Sequence, residues 1–273
     1  MAVVALAGCS GAPGVTTTAL ALLLAWPAEP GRRMVLAECD PDGGSVLYGL
    51  LQGSLGDRYG LRNLSVAARK GELPEAFWRQ LVDLTDDAGA VPPRRDRLLL
   101  PGISDPAQGP ALAPAWEQLA DLFAGIGALA EHPHDVLVDL GRHGAFGPSG
   151  VLARRADAVV VVARSTVRGL HAARSRVEAL QEQVGEVRLV LIQEGRYAPG
   201  EVEKVLQVPV VATLPFRPEQ ARVLSEGVPQ PRKFASCELL RAAQRAAGSL
   251  RQHVALRRSH LATDGAGVSH GAR

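Results

Sequence analysis

The chain has 273 residues, 47% of them hydrophobic and 21% charged, with a net charge of +2, so it can bury a substantial core. No apolar run reaches the roughly 18 residues of a membrane-spanning helix, and a charge near zero argues against a broad nucleic-acid-coating surface. The three cysteines lie far apart in the sequence, which is typical of neither a disulfide framework nor a zinc site and favours a cytoplasmic protein.

Short apolar runs alternate with helical patterns along the chain. The runs are continuous, as in strands covered on both faces, and span residues 2–7, 34–37, 98–100, 136–140, 158–163, 187–192 and 208–214. Helical patterns cover residues 16–26, 61–70, 74–83, 114–130, 166–184, 218–227 and 236–258. We expect the segments 61–70 and 74–83 to be short helices that cap one edge of a sheet formed by the strands. This alternation predicts an α/β fold of three layers, a mostly parallel sheet flanked by helices on both faces.

Lysine is scarce in this chain. Of the 30 basic residues only Lys70, Lys204 and Lys233 are lysines. Such a skew is typical of codon bias and carries no function by itself. Any chemistry that requires a lysine ammonium group nevertheless has only these three candidates.

A loop of small residues joins the first predicted strand to the first predicted helix. It covers residues 8–17 and reads Gly-Cys-Ser-Gly-Ala-Pro-Gly-Val-Thr-Thr. The backbone N–H groups of such a loop and the positive end of the helix dipole form a cradle for phosphates. Thr16 stands where the hydroxyl of a P-loop holds Mg²⁺. The plainer interpretation is that any strand-to-helix turn needs small residues.

Three other motifs fail in this loop. A Cys-x5-Arg phosphatase loop would need an arginine at position 15, where Val15 stands. The glycines at 8, 11 and 14 do not follow the Gly-x-Gly-x-x-Gly of dinucleotide-binding folds. A short-chain dehydrogenase would need Tyr-x-x-x-Lys, and no tyrosine has a lysine four residues later. The P-loop interpretation is the one that survives.

The P-loop pattern has one fault here. Val15 occupies the position of the lysine that bridges the terminal phosphates and neutralises charge during phosphoryl transfer. One charge-assisted contact of this kind contributes about 1.5–3 kcal/mol to binding. Losing a group that stabilises the transition state typically costs about 10²–10³ in rate. A dedicated hydrolase should keep this lysine.

Carboxylates follow two of the predicted strands. Glu38 and Asp40 follow the second run, and Asp139 comes directly after the apolar residues 136–138, as a Walker B acid ends its strand. Side chains at the carboxyl ends of strands beside a P-loop can reach Mg²⁺ or orient the attacking water.

In this arrangement the chain resembles the deviant P-loop ATPases of the ParA/MinD family. Residues 10–17 align with the family's Lys-Gly-Gly-x-Gly-Lys-Thr-Thr, and residues 38–43 align with its Asp-x-Asp-Pro-Gln-Gly. Asp139 aligns with the strand acid, residues 156–160 resemble its Ala-Asp-x-Val-Ile, and residues 214–227 resemble its Ile-Pro-x-Asp…Ala…Gly segment. The resemblance covers about residues 2–250 and is specific in order and spacing.

The resemblance implies a nucleotide site. The residues it assigns to ATP are Gly11, Ala12, Pro13, Gly14, Val15, Thr16, Thr17, Gln193 and Pro215. Thr16 and Asp139 would hold Mg²⁺, and Asp40 would orient the attacking water if the protein is an active ATPase. The resemblance also implies a homodimer, and it predicts one P-loop NTPase-like domain over residues 1–258.

The departures from the family pattern cluster where nucleotide chemistry would occur. Ser10 replaces the signature lysine, Val15 replaces the P-loop lysine, Gln193 stands where an asparagine that contacts adenine is frequent, and Arg217 replaces an aspartate. We therefore expect a pseudo-ATPase with weak or absent ATP hydrolysis. It would act in localisation or scaffolding, and the TadZ/CpaE-like branch suggests a pilus or secretion apparatus as partner and a peripheral place at a membrane-associated complex.

A second function stays open at this point. The chain could be an active ATP-dependent dimerisation switch in cell-division site placement or in chromosome or plasmid partitioning. The positive charge that the loop lysines would supply would then come from residues outside the loop, and the candidates are Lys70, Arg142 and Arg164.

Two further features have a structural and a functional interpretation. The helix predicted over 236–258 carries an apolar stripe and several arginines, which favours core packing with a basic outer face over contact with membrane or DNA. His132, His134 and His143 lie around the strand that ends at Asp139, and we expect exposed loop histidines rather than metal ligands. The composition after residue 258 predicts a disordered tail over 259–273.

Overall fold

The computed structural model describes residues 1–11, 13–27, 29–85 and 96–267. The strands are β1 (Val3–Ala7), β2 (Arg33–Glu38), β3 (Val82–Asp83), β4 (Arg97–Leu100), β5 (His134–Asp139), β6 (Ala158–Arg164), β7 (Val187–Gln193) and β8 (Val210–Pro215). The α-helices are α1 (Val15–Ala25), α2 (Leu61–Lys70), α3 (Leu73–Arg79), α4 (Ala113–Leu129), α5 (Val151–Arg154), α6 (Val167–Gln181), α7 (Pro199–Leu206), α8 (Pro218–Glu226) and α9 (Glu238–Gly267). Short 3-10 turns cover Gly56–Arg58, Pro106–Leu112, Gly147–Gly150 and Phe234–Ser236.

The strands form one sheet in the order β3-β4-β2-β5-β1-β6-β7-β8. All neighbouring strands are parallel except β3, which pairs antiparallel with β4 at the edge. The central position of β1 brings its carboxyl end between those of β5 and β6. The loops after β1, β2 and β5 therefore meet at one edge of the sheet, as the carboxyl ends of parallel strands do.

Both faces of the sheet are covered, which explains the continuous apolar runs. Val3 and Ala5 of β1 belong to a core layer shared with α2 to α7, whereas Val4 and Leu6 belong to a second layer shared with α1, α8 and α9. Each strand residue thus packs against helices whichever way it points. The predicted three-layer α/β class is confirmed.

The segment after α3 and helix α7 differ from the sequence prediction. The helix predicted over 74–83 ends at Arg79, and Val82 and Asp83 pair with Leu99 and Leu98 as the strand β3. A local helical pattern cannot anticipate this pairing, because the partner strand is distant in sequence. Helix α7 was not predicted, since its eight residues give too little periodicity to read.

The C-terminal helix packs on the domain. Its apolar stripe, which includes Ala243, Ala247 and Leu250, is fully buried in the layer with α1, so the predicted core packing is confirmed. The helix continues to Gly267, beyond the predicted boundary at 258, and residues 268–273 lie outside the described residues. Within the described part of the chain no helix has the length and apolarity needed to cross a membrane.

Candidate functional site

The loop between β1 and α1 ends in a left-handed turn. Gly11 and Gly14 have φ values of 92° and 89°, a region that side chains disfavour, so both positions favour glycine. Gly14 is the N-cap residue of α1 and supplies no side-chain hydrogen bond. The first turn of α1 therefore has no side-chain cap at its N-terminus, and the positive end of the helix dipole there suits an anion.

Val15 is buried where the P-loop pattern has its lysine. Its side chain is 7% exposed and belongs to the apolar layer beneath α1. It also lies close to Gly8, because a Cβ on Gly8 would be 2.6 Å from Val15 Cγ2. The amide of Gly8 donates a 2.7 Å hydrogen bond to the carbonyl of Gly141, which ties this loop to the loop after β5. An apolar, buried side chain thus occupies this loop position.

Thr16 and Asp139 lie together at the base of the loop. Asp139 is the last residue of β5 and is buried, and its carboxylate hydrogen-bonds to the Thr16 side chain and to the Gly141 amide, the latter at 2.8 Å. Burial raises the pKa of Asp139 to about 6, and the two hydrogen bonds oppose that rise. A threonine hydroxyl beside a buried carboxylate is an oxygen pair suited to Mg²⁺.

Asp40 rests against the backbone of the β5 loop. Its Oδ1 accepts a 3.0 Å hydrogen bond from the Asp42 amide, and its carboxylate also accepts one from the Arg142 amide. Gly141 has a φ of 52°, and a Cβ there would lie 1.5 Å from Asp40 Oδ2. Burial is the main cause that raises the pKa of Asp40. The close contact fixes the Asp40 carboxylate at the edge of the site.

Glu38 holds two loops beside the site, a role the sequence did not predict. Its buried carboxylate accepts hydrogen bonds from the amides of Ser45, Val46 and Gly102 at 2.8, 3.1 and 3.1 Å. Burial raises its pKa to about 7, although these amides favour the charged form. Glu38 thereby joins the segment after β2 to the end of β4, which supports the position of Asp40.

These loops surround a cavity of about 520 Å³ at the carboxyl edge of the sheet. One wall comes from the β1 loop and the first turn of α1, and the opposite wall is largely apolar and comes from the ends of β7 and β8 with α8 and α9. Its lining comprises Gly8, Cys9, Pro13, Gly14, Val15, Thr16, Thr17, Thr18, Asp40, Gly141, Arg142, Arg164, Ile192, Leu214, Pro215, Phe216, Arg217, Pro218, Ala221, Arg222 and Leu239. A volume of this size with one polar and one apolar wall suits a small organic anion.

The basic groups of the described cavity lining are four arginines: Arg142, Arg164, Arg217 and Arg222. The described lining includes none of the three lysines, so the predicted alternative through Lys70 has no support in the geometry. Arg222 was missed at the sequence level. The signal that could have found it is its place directly after Ala221, within the segment that resembles the family.

The three histidines do not form a metal site. His134 is buried on β5, where its Nδ1 lies 2.7 Å from the His132 carbonyl, so the prediction of an exposed loop histidine is wrong for this residue. Its place within a strand of the covered sheet explains the burial. His143 is exposed and its Nδ1 lies 2.5 Å from Asp42 Oδ2. Among the residues with a described position, no three His, Cys, Asp or Glu side chains are grouped closely enough for a metal ion.

No family model matches the chain, and no curated protein matches it. Solved structures do. The ParA family ATPase from Chlorobium tepidum TLS has a TM-score of 0.66 at 15% identity, over 90% of this chain and 97% of that one. The MinD cell division protein of Aquifex aeolicus has a TM-score of 0.66 at 16% identity, over 92% and 98%. The septum site-determining protein MinD of Pyrococcus horikoshii OT3, complexed with Mg-ADP, has a TM-score of 0.65 at 16% identity, over 94% and 98%.

This chain has the ParA/MinD fold. The likeness extends over almost all of the chain and over nearly the full length of each matched structure. At these identities it is a likeness of fold, and it confirms the architecture that the sequence resemblance implied.

The ParA/MinD fold brings most of the predicted site residues together. Those that line the cavity are Pro13, Gly14, Val15, Thr16, Thr17, Asp40 and Pro215. Asp139 lies behind Thr16 rather than on the surface of the cavity. Gly11 and Gln193 do not line it; the Gln193 side chain is exposed although the residue pairs with Pro215 in the sheet. Ala12 lies outside the described residues.

Proposed function

We propose that this chain is a nucleotide-binding protein of the ParA/MinD type that binds ATP weakly and hydrolyses it slowly or not at all. The observation that carries the proposal is the buried Val15 at the start of α1, in a glycine-containing loop that lines the cavity beside a helix N-terminus without a side-chain cap. This helix N-terminus supports binding of a phosphate chain. The missing ammonium group argues against efficient transfer of the γ-phosphoryl group.

The residues present fit a magnesium nucleotide in part. Thr16 and Asp139 already hydrogen-bond to each other and offer the oxygens that Mg²⁺ prefers, and phosphate oxygens would complete its shell. Bound Mg²⁺ would neutralise charge on the phosphates. The apolar wall with Ile192, Leu214 and Phe216 suits a base. The Mg-ADP complex of the P. horikoshii MinD supports this ligand class.

We further propose that the chain acts in localisation or scaffolding as a homodimer, for a pilus or secretion apparatus or for a partition system. The fold shared with MinD and ParA structures supports a role of this kind. Sedimentation of the protein with and without ATP would measure the oligomeric state. A monomer under both conditions, at micromolar concentration, contradicts the homodimer.

The test of the nucleotide site is a titration with a fluorescent ATP analogue. Wild-type protein should bind it weakly, and Val15→Lys should tighten binding at least tenfold because it restores a charge-assisted contact with the phosphates. Val205→Lys is the matched control, since Val205 is 56% exposed on α7 and away from the cavity. Equal affinities for wild type and Val15→Lys contradict the proposal.

Phosphate release from ATP separates the two candidate functions. The alternative is an active ATP-dependent dimerisation switch in cell-division site placement or partitioning, and the retention of Asp40, Thr16 and Asp139 favours it. A pseudo-ATPase gives the same release rate in wild type and in Thr16→Ala. Turnover that Thr16→Ala abolishes would establish the active switch instead.

A further inference from the structure

Arg142 follows β5 in a loop that is fixed from three directions. Gly141, its neighbour, donates from its amide to Asp139 Oδ1 at 2.8 Å and accepts at its carbonyl from the Gly8 amide at 2.7 Å. The amide of Arg142 itself hydrogen-bonds to the Asp40 carboxylate. The backbone of Arg142 is thus tied to the loops after β1 and β2, and the root of its side chain is held at the cavity before any ligand binds.

The guanidinium of Arg142 differs from the other basic groups of the cavity. Arg164, Arg217 and Arg222 form ion pairs with Glu194, Glu238 and Glu226 at 3.1, 2.7 and 2.9 Å. For Arg142, whose side chain is exposed, no carboxylate within the described ranges forms such a pair. Its full charge is therefore available to a ligand.

The surroundings of Arg142 reinforce its positive charge. Arg176 lies near it, and burial together with the charge of Arg142 lowers the pKa of Arg176. The Arg176 guanidinium stacks 4.7 Å from the ring centroid of Phe146. Asp40 is the one carboxylate of the described lining, and its oxygens already accept backbone amides. An anion that enters the cavity therefore meets uncompensated positive charge on the side of the β5 loop.

We propose that Arg142 binds the terminal phosphates of the nucleotide, in the role that a loop lysine would otherwise fill. This inference rests on the proposed nucleotide site. The first-turn amides of α1 contact the phosphate chain, and the guanidinium fork contacts it from the adjoining β5 loop, which also lines the cavity. Because AMP lacks the phosphates that this guanidinium would contact, the site selects nucleoside di- and triphosphates over monophosphates.

The experiment is a titration of wild type, Arg142→Ala and Arg142→Lys with fluorescent analogues of ATP and AMP. Arg142→Ala should weaken binding of the ATP analogue at least tenfold and change AMP binding little, and Arg142→Lys should fall between, since it keeps charge without the fork. Arg241→Ala is the matched control, because Arg241 is exposed on α9 and does not line the cavity. Adding Val15→Lys to Arg142→Ala should restore ATP binding.

Three outcomes of this titration distinguish the role of Arg142 from the nucleotide site as a whole. Loss of ATP binding in Arg142→Ala, with restoration by Val15→Lys and an unchanged melting temperature, supports the inference. Equal ATP affinity in wild type and Arg142→Ala overturns it while the nucleotide site stands. Absence of binding in wild type and in Val15→Lys overturns the nucleotide site and the inference together.

Discussion

Arg258 on α9 and Asp157 before β6 form a bidentate ion pair, with Nε–Oδ1 and Nη2–Oδ2 distances of 2.7 Å each. The same carboxylate accepts a 2.7 Å hydrogen bond from the Val3 amide. One side chain thus joins the C-terminal helix to the central strand of the sheet. Arg251 and Arg257 make ion pairs with Glu29 and Glu186 in addition. These arginines of α9 therefore attach the helix to the domain.

We expect Arg258→Ala to lower the free energy of unfolding by about 1 kcal/mol, as measured by urea denaturation. The bidentate geometry places the stabilisation at the upper end of the range for surface ion pairs. Because the Arg258 side chain is 40% exposed, solvent screening keeps the stabilisation from being larger. Arg241→Ala, on the exposed face of α9, should change stability by less than about 0.5 kcal/mol. Equal losses in the two variants would show that the pair contributes nothing specific.

The buried stripe of α9 makes a second prediction. Leu250 is fully buried against the layer with α1, so Leu250→Ala should cost about 2–4 kcal/mol of unfolding free energy. Leu256 lies on the same helix with 53% exposure, and Leu256→Ala should cost less than about 0.5 kcal/mol. A membrane-binding helix would behave differently: Leu250→Ala would leave stability intact and reduce binding to anionic vesicles.

The third prediction concerns Gly141, because a side chain at this position would strain the backbone and would collide with Asp40. Gly141→Ala places a Cβ 1.5 Å from Asp40 Oδ2 at a φ of 52°, so we expect a loss of about 1–3 kcal/mol in thermal or urea unfolding. Gly125→Ala is the matched control inside α4, where a Cβ meets nothing within 4 Å, and it should stabilise by about 0.5–1 kcal/mol. Similar changes in both variants would contradict the contact between Asp40 and Gly141.

His134 gives the chain a source of acid sensitivity. Its ring is buried, its Nδ1 bonds to the His132 carbonyl, and no described group partners its Nε2. Burial lowers the pKa of His134 below the usual 6.5. His134 therefore takes up a proton more readily in the unfolded chain than in the folded protein. As a result, the free energy of unfolding falls as the pH drops below about 6.5.

The test compares urea denaturation of wild type and His134→Asn at pH 7.5 and pH 5. Asparagine can keep the hydrogen bond to His132 but cannot take up the proton, so the variant should lose less stability on acidification. His171 lies on the exposed face of α6, and His171→Asn is the control: it should lose as much stability between pH 7.5 and pH 5 as wild type does. A pH response of His134→Asn equal to that of wild type would rule out this residue as the cause.

Much of the architecture followed from local pattern. Continuous apolar runs predict strands covered on both faces, and all seven of them became strands of the parallel sheet. The loop with Gly14, Val15 and Thr16 leads into α1 as the sequence predicted, because the geometry of a strand-to-helix turn depends on the residues within it, and its binding of phosphate stays a prediction. Val15 in place of a lysine is likewise a fact of sequence alone.

Other features arose only from contacts between distant segments. The strand β3 forms because Val82 pairs with Leu99 of β4. His134 is buried because helices cover both faces of the sheet. Whether Arg142 or Gln193 faces the cavity depends on how the strand ends are arranged side by side, and only Arg142 does. Sequence determined which chemistry the β1 loop lacks. Tertiary structure decided which side chains line the cavity with that loop, because strand order, not sequence spacing, brings the β5 loop and Arg142 beside it.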